Sequence, residues 1–209
     1  MAGTAPELVE TTVRLGGRDV SLLRPPDAEA LLSEEAFERE EFLPYWAELW
    51  PSGVVLAREV AGRPLGGARV LELGCGLGLP SLAAALAGAQ VLATDWAPDA
   101  VALLHANAER NRISLDVTEA SWTEPGPLVE RAPWDLVLAA DVLYERRHAE
   151  PLLDLLPRLV RRTGAGEVLL AEPGRPPAAA FLAAARERWN VATALLQESP
   201  RIELHTIRP

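Results

Sequence analysis

The sequence predicts an α/β fold, a mostly parallel sheet with helices on both faces, and three observations lead there. From residue 68 onward, apolar runs of strand length alternate with helical patterns, the arrangement that covers a parallel sheet on both sides. A glycine-rich turn, ELGCGLGLP at 72–80, falls where the first run ends and the next helix begins. The last two apolar runs are separated only by Gln197 to Arg201. A parallel return needs about a dozen residues or more, so these two strands pair antiparallel or lie apart.

The elements follow in order. Val9 to Leu15 and Asp19 to Leu23 flank Gly16-Gly17 and form a hairpin pattern. Residues 28–38 have the look of a short helix, and an aromatic stretch, FLPYWAELWPSG, follows with Phe42, Tyr45, Trp46 and Trp50. Pro51 and Ser52 open a helix, proline being well tolerated in a first turn. Its positions Val54, Ala57 and Ala61 recur at three and four, and Gly62 with Gly66-Gly67 ends it. ARVLELG (68–74) is a buried strand, LPSLAAALAGA (79–89) a helix of small residues and QVLATD (90–95) a second strand. APDAVALLHANAERN (97–111) is a helix with Val101, Leu104 and Ala108 on one face. Leu115 to Ala120, Trp134 to Ala140 and Gly166 to Ala171 are the next strands, with helices at His148 to Arg162 and Pro177 to Arg188. Val191 to Leu196 and Ile202 to Ile207 are the closing pair. Residues 1–62 are expected to form an extension packed on a domain of residues 63–209.

Composition narrows the class of function. A chain of 209 residues suits one domain with a full core. No apolar run reaches transmembrane length, and the N-terminus, MAGTAPELVE, has neither a basic region nor an apolar targeting core. A cytoplasmic protein with no membrane partner is expected. Cys75 is the only cysteine, which excludes an intramolecular disulfide. His105, His148 and His205 are widely spaced and match no metal motif, so no metal is expected. The net charge of −10 disfavours a nucleic-acid backbone and suits a cationic or neutral substrate. All 20 basic residues are arginines. No coiled-coil pattern demands a dimer, and a monomer is expected.

The glycine turn has the context of a cofactor loop. Gly74, Gly76 and Gly78 follow a strand and precede a helix. The dinucleotide fingerprint would put its third glycine where Leu79 stands, so a pyrophosphate is disfavoured. Glu72 at the strand end would repel a phosphate and suits a cationic ligand group. Asp95 ends the second strand at the crevice side of the sheet. Its carboxylate can accept two hydrogen bonds from ribose hydroxyls, or it can cap the helix that begins near Pro98. Trp122, after the third strand in ASWTE, can stack on a nucleobase or pack on the sheet edge. Cys75 has no histidine near it in the pattern and reads as a small loop side chain rather than a nucleophile.

ELGCGLG, then Thr94-Asp95, Ser121-Trp122 and DLVLAADVLY at 135–144, resemble the class I S-adenosylmethionine-dependent methyltransferases. Asp141-Val142-Leu143-Tyr144 resembles, more narrowly, the DxxY motif of the seven-β-strand protein-lysine methyltransferases, and YWAELWPSG at 45–53 resembles their aromatic N-terminal segment. That group includes enzymes similar to the one acting on the electron-transfer flavoprotein β-subunit, and nicotinamide N-methyltransferase-like proteins. The resemblance covers roughly residues 40 to 209. It implies a Rossmann-like seven-stranded mostly parallel sheet with the last strand antiparallel, here with an N-terminal helical and hairpin extension. It implies S-adenosyl-L-methionine as cofactor, with S-adenosyl-L-homocysteine as product. Glu72 and the loop residues Gly74, Cys75, Gly76 and Gly78 would surround the methionine portion, and Asp95 would take the ribose hydroxyls. Trp122 would lie near adenine and Trp50 would close over the cofactor, with Trp96, Ser121 and Ala139 as further cofactor contacts. Asp141 and Tyr144, the catalytic candidates, would line the entry for the methyl acceptor.

The acceptor such a site implies is the lysine of a protein substrate, with a small amine as the alternative. A lysine must lose its proton before it attacks, because its ordinary pKa is near 10.4. Desolvation in an aromatic channel lowers that value. Tyr45, Trp46, Trp50 and Tyr144 can form such a channel, and aromatic faces attract the cation beforehand. Glu48 is a second acid near the entrance.

Overall fold

The apolar runs at 69–73, 90–95, 136–140 and 167–172 have no polar face to turn to water, so they bury both faces in one sheet, whereas the run at 190–198 lies exposed on its edge. A computed structural model of the protein describes residues 7–28, 31, 44–161, 164 and 166–209. Two strands, β1 (Val9–Leu15) and β2 (Arg18–Arg24), pair antiparallel as a separate hairpin. The remaining strands are β3 (Arg69–Leu73), β4 (Gln90–Asp95), β5 (Asp116–Glu119), β6 (Leu136–Ala140), β7 (Glu167–Glu172), β8 (Asn190–Glu198) and β9 (Arg201–Arg208). They form one seven-stranded sheet in the order β5-β4-β3-β6-β7-β9-β8.

The five strands from β5 to β7 are parallel, and β9 runs antiparallel to both its neighbours. The short Ser199-Pro200 connection turns the chain straight back along β8, as its length requires. The last strand then inserts between β7 and β8, an order set by pairing with a strand some thirty residues earlier and so invisible to local pattern.

Among the described residues six α-helices cover the sheet: α1 (Pro51–Ala61), α2 (Leu79–Leu86), α3 (Pro98–Arg110), α4 (Gly126–Glu130), α5 (Ala149–Leu159) and α6 (Pro176–Arg186). Alternating strand residues feed two cores. Val70, Ala93, Leu138 and Leu169 face Leu56, Leu82 and Leu104 of α1, α2 and α3. Leu71, Leu92, Val137 and Leu170 face Leu128, Leu155 and Phe181 of α4, α5 and α6. The five-residue α4 is too short to show a period in the sequence. The helix expected over 28–38 and the aromatic Phe42 lie outside the described residues, apart from residues 28 and 31. Among the described residues no helix is long and apolar enough to cross a membrane.

Two asparagines one helical turn apart fasten the hairpin. Asn107 accepts from the Leu23 N–H at 2.7 Å and donates to its carbonyl at 3.2 Å, and Asn111 does the same for Ser21 at 2.9 and 2.7 Å. The match is geometric, since four residues of helix rise about 6 Å and two residues of strand about 6.7 Å. α1 shares its core with α2 and with β7.

All the parallel strands end on one side of the sheet. There the carboxyl ends of β3, β4 and β6 hand the chain to loops that carry Gly74, Trp96 and Asp141, the crevice in which ligands of open α/β sheets bind.

Candidate active site

The loop after β3 turns through three left-handed glycines, and Gly78 is the one that packing makes indispensable. It caps α2 at φ 75°, and a Cβ there would stand 2.1 Å from Leu104 Cδ1. The glycine lets α2 close onto α3. Gly76, at φ 49°, faces the other way: a Cβ would stand 3.0 Å from the Trp46 carbonyl oxygen. The aromatic N-terminal segment is thus laid directly over the loop.

Two buried acids tie this loop to the strand ends. Glu72 is fully buried, and its Oε2 accepts the backbone N–H of Ser81 at 2.9 Å together with the Ser81 hydroxyl. Burial pushes its carboxyl up to about 8, against the pull of both Ser81 bonds. Asp95 Oδ2 accepts the Gly76 N–H at 2.9 Å, and Oδ1 accepts that of Ala97 at 3.0 Å. Burial raises the Asp95 carboxyl too, although these N–H bonds oppose it. Neither bond caps the next helix, which has Ala97 as its own N-cap residue and no side-chain cap; Asp95 ties the glycine loop and the loop after β4 instead. Burial pushes the Cys75 thiol well above its ordinary value, which leaves no reactive thiolate.

Across the crevice stands Asp141, buried and held at φ 57°, a left-handed conformation that aspartate tolerates better than most residues. Its N–H donates to the Ala171 carbonyl at 2.9 Å. Its Oδ1 accepts from Arg175 Nε at 2.8 Å and its Oδ2 from the Ser52 hydroxyl at 3.2 Å. Arg175, Ser52 and His148 are site residues that sequence reasoning passed over. Arg175 also lies 5.8 Å from the Trp50 ring centroid, and Trp50 Nε1 donates to the Tyr45 carbonyl at 2.8 Å.

Five rings form a continuous wall. Trp50 meets Tyr45 at 6.1 Å, Tyr45 meets Tyr144 at 5.3 Å, Tyr144 meets His148 at 4.6 Å and His148 meets Trp122 at 5.6 Å. The last three contacts are edge-to-face, the favoured geometry for aromatic pairs. His148 Nδ1 lies 3.0 Å from the Val142 carbonyl, and burial lowers its ring pKa. Burial likewise pushes the Tyr144 phenol up to about 12.

These groups enclose one cavity of about 430 Å³, within the range of small-molecule sites. Trp50, Glu72, Gly74, Cys75, Gly76, Gly78, Asp95, Trp96, Trp122, Asp141 and Tyr144 all line it. Two candidates do not. Ser121 turns to Thr123, its hydroxyl 2.8 Å from Thr123 Oγ1. Ala139 points into the core beneath β6, and its neighbour Ala140 lines the cavity instead, because strand alternation sends adjacent side chains to opposite faces. The lining is acidic: among the described residues Glu48, Glu72, Asp95, Asp141 and Glu145 line it with one cationic side chain, Arg175.

The family described as lysine methyltransferase matches residues 43–185. The electron transfer flavoprotein beta subunit lysine methyltransferase of Xenopus laevis is 38% identical over 136 residues, 63% of this chain and 53% of that protein. The protein N-lysine methyltransferase METTL21A of Danio rerio is 38% identical over 120 residues, 54% of this chain and 55% of that one. The chain spans about half the length of the curated relatives it matches. The Thermus thermophilus 16S rRNA N2 G1207 methyltransferase, solved with AdoMet and guanosine, shares the fold at a TM-score of 0.70 and 17% identity, over 99% of this chain and 52% of that one. With a family match that runs through the glycine loop, Asp95 and the DxxY segment, the chain belongs to the lysine methyltransferase family.

Proposed function

We propose that the protein is an S-adenosylmethionine-dependent methyltransferase that N-methylates a lysine side chain of a protein substrate. The reading rests above all on one observation: a single acid-lined cavity has the Glu72–Asp95 loop on one side and the Asp141–Tyr144 segment with its aromatic wall on the other. We further propose that residues 1–62 act as a packing extension of the domain 63–209, and that the enzyme works as a monomer in the cytoplasm. The acidic lining and the net charge of −10 argue against a nucleic-acid substrate.

The donors and acceptors fit the cofactor. When bound, S-adenosylmethionine supplies an electrophilic methyl group on a sulfonium, and the protein supplies position. Glu72 would face the cationic methionine end, where a neighbouring positive charge favours its ionised form. Asp95 spends one lone pair of each oxygen on loop N–H groups and keeps the others for ribose hydroxyls. Trp96 and Trp122, both lining the cavity, would flank the adenine.

On the acceptor side, aromatic desolvation lowers the pKa of an entering ammonium, and the rings hold its cationic form on arrival. Asp141, already engaged by Arg175 and Ser52, would orient the amine through its free lone pairs rather than carry its proton away. Tyr144, held protonated by burial, would serve as a neutral hydrogen-bond partner.

Tritiated S-adenosylmethionine with the purified protein and a cell extract tests the proposal. Label in a protein band, lost in Asp141→Asn, is the expected outcome. Label confined to the small-molecule fraction would transfer the reading to a small-amine acceptor, and no label in either fraction would end it.

A further inference from the structure

Outside the cavity, the sheet buries a second polar cluster that no step above uses. His205 on β9 is 1% exposed and Glu172 at the end of β7 is 2% exposed. Their hydrogen bonds form a directed chain. Arg186 Nη2 donates to Thr193 Oγ1 at 3.2 Å, and Thr193 Oγ1 lies 2.8 Å from His205 Nδ1. Glu172 has its carboxyl held in the ionised, acceptor-only form, so the hydrogen between the two residues belongs to His205 Nε2. His205 Nε2 then donates to Glu172 Oε1 at 3.1 Å. The other oxygen, Oε2, accepts the backbone N–H groups of Gly174 at 2.6 Å and Arg175 at 3.0 Å. Burial pushes Glu172 upward, but the bonds from His205, Gly174 and Arg175 outweigh it and leave the carboxyl below its ordinary value. A third carboxylate, Glu203, stands 4.0 Å from His205 Nε2 and is engaged by Arg201.

The chain ends at the site. Glu172 fixes the turn through Gly174, which is at φ 90°, and that turn delivers Arg175. The Arg175 backbone is held from below by Glu172, and its guanidinium reaches forward to Asp141 Oδ1 at 2.8 Å. The side chain of Arg175 is 38% exposed, and a partly solvated long side chain does not keep one geometry by its ion pair alone. The rigid part is the buried carboxylate beneath it.

We propose that His205 and Glu172 are positioning residues: they lock the 173–175 turn so that Arg175 holds Asp141 in place at the acceptor side of the cavity. The inference rests on Asp141 belonging to the acceptor site, as proposed above. Every bond it uses joins neighbours in one chain, from the edge strand β8 through β9 and β7 to the loop after β6. It gives a reason for a histidine and a glutamate in the most buried layer of the sheet, where such groups are costly unless fully bonded.

The test follows the Arg175 guanidinium directly. In a 1H–15N spectrum of the full chain, the arginine Nε–H signal that disappears in Arg175→Met belongs to Arg175. His205→Phe keeps a ring in the core and removes both bonds. It is expected to move that signal to the position of solvent-exposed arginines, while His205→Gln, which can still donate to Glu172, restores it. Thr193→Val, on the exposed edge strand, is expected to shift it in the same direction by less, and serves if His205→Phe does not fold. Methyl transfer to extract protein is expected to fall about three- to tenfold in His205→Phe, the size of a typical coupling between contacting residues. That loss vanishes in the Arg175→Met background, because the two act through one contact. An Arg175 signal unmoved by His205→Phe and Thr193→Val, or losses that multiply, would overturn the relay. If the wild type labels nothing, the methyltransferase reading fails, and the Nε–H signal still decides the relay.

Discussion

Ser81 gives both of its donors, the backbone N–H and the hydroxyl, to one oxygen of Glu72. The glutamate is thereby fastened to the third residue of α2 while its carboxyl is pushed up to about 8 by burial. The folded state holds a proton on Glu72 that the unfolded chain releases near 4.5. Stability is therefore expected to fall as pH rises from about 4.5 to about 8, by an amount on the order of a few kcal/mol, and to gain nothing from this group above that. Glu72→Gln flattens the slope in urea titrations run across this window. A positively charged ligand beside Glu72 draws the proton off, so S-adenosylmethionine binding at pH 7 should release close to one proton. Calorimetry in phosphate and in Tris reads this as a difference in heat, and equal heats in the two buffers would mean that Glu72 does not change state.

Gly78 and Leu104 make a second testable contact. A methyl group at 78 has no room, because Leu104 is fully buried between α2 and the sheet and cannot swing away. Gly78→Ala should cost about 2–4 kcal/mol, from overpacking together with the left-handed backbone. Combined with Leu104→Ala, the loss should be smaller than the sum of the single losses, since the smaller residue vacates the clash. Strict additivity in denaturation midpoints would show that the glycine is tolerated on other grounds.

How much of this was legible in the sequence depends on the range of each interaction. The parallel strands, the glycine turn and Asp95 are local patterns of apolar runs, small residues and a strand-end acid, and all were legible. The antiparallel closing pair was legible from one short connection. Arg175 was not, because it looks like any of 20 arginines and its partner lies 34 residues away. Ser52 reaches Asp141 across 89 residues, a contact set by the docking of α1. His148 carries no motif, and only the tertiary fold seats it between Tyr144 and Trp122. The choice of Ala139 over Ala140 is a one-residue question of strand parity, which a pattern of consecutive apolar residues cannot settle.

The hairpin depends on two side chains for its seat. Asn107 is fully buried and bonds both the N–H and the carbonyl of Leu23. Asn107→Ala should cost about 1–3 kcal/mol, because it strands two backbone groups. Asn111, one turn further along, also bonds Asn107's carbonyl, and its loss should be milder because Asn111 is only partly buried where Asn107 is fully buried. Hydrogen exchange at the Leu23 amide is the direct readout: protection is expected to drop in Asn107→Ala while that of β3 and β6 amides stays as in the wild type. Unchanged Leu23 protection would mean that the apolar contacts of Val20 and Leu22 hold the hairpin unaided.

Tyr144 separates two roles that a site tyrosine can play. Its ring is braced edge-on between Tyr45 and His148, and its phenol is pushed up to about 12. Near neutral pH the hydroxyl is therefore protonated and cannot take a proton from the acceptor. Tyr144→Phe keeps both ring contacts, so stability should stay within about 1 kcal/mol of the wild type. The methyl-transfer rate should fall about three- to tenfold, the worth of one neutral hydrogen bond to the acceptor. Because the limb rising with pH would report deprotonation of the acceptor amine, its position should be the same in Tyr144→Phe and wild type. A displaced limb in the variant's pH–rate profile would identify Tyr144 as a titrating base and contradict the neutral role its burial imposes.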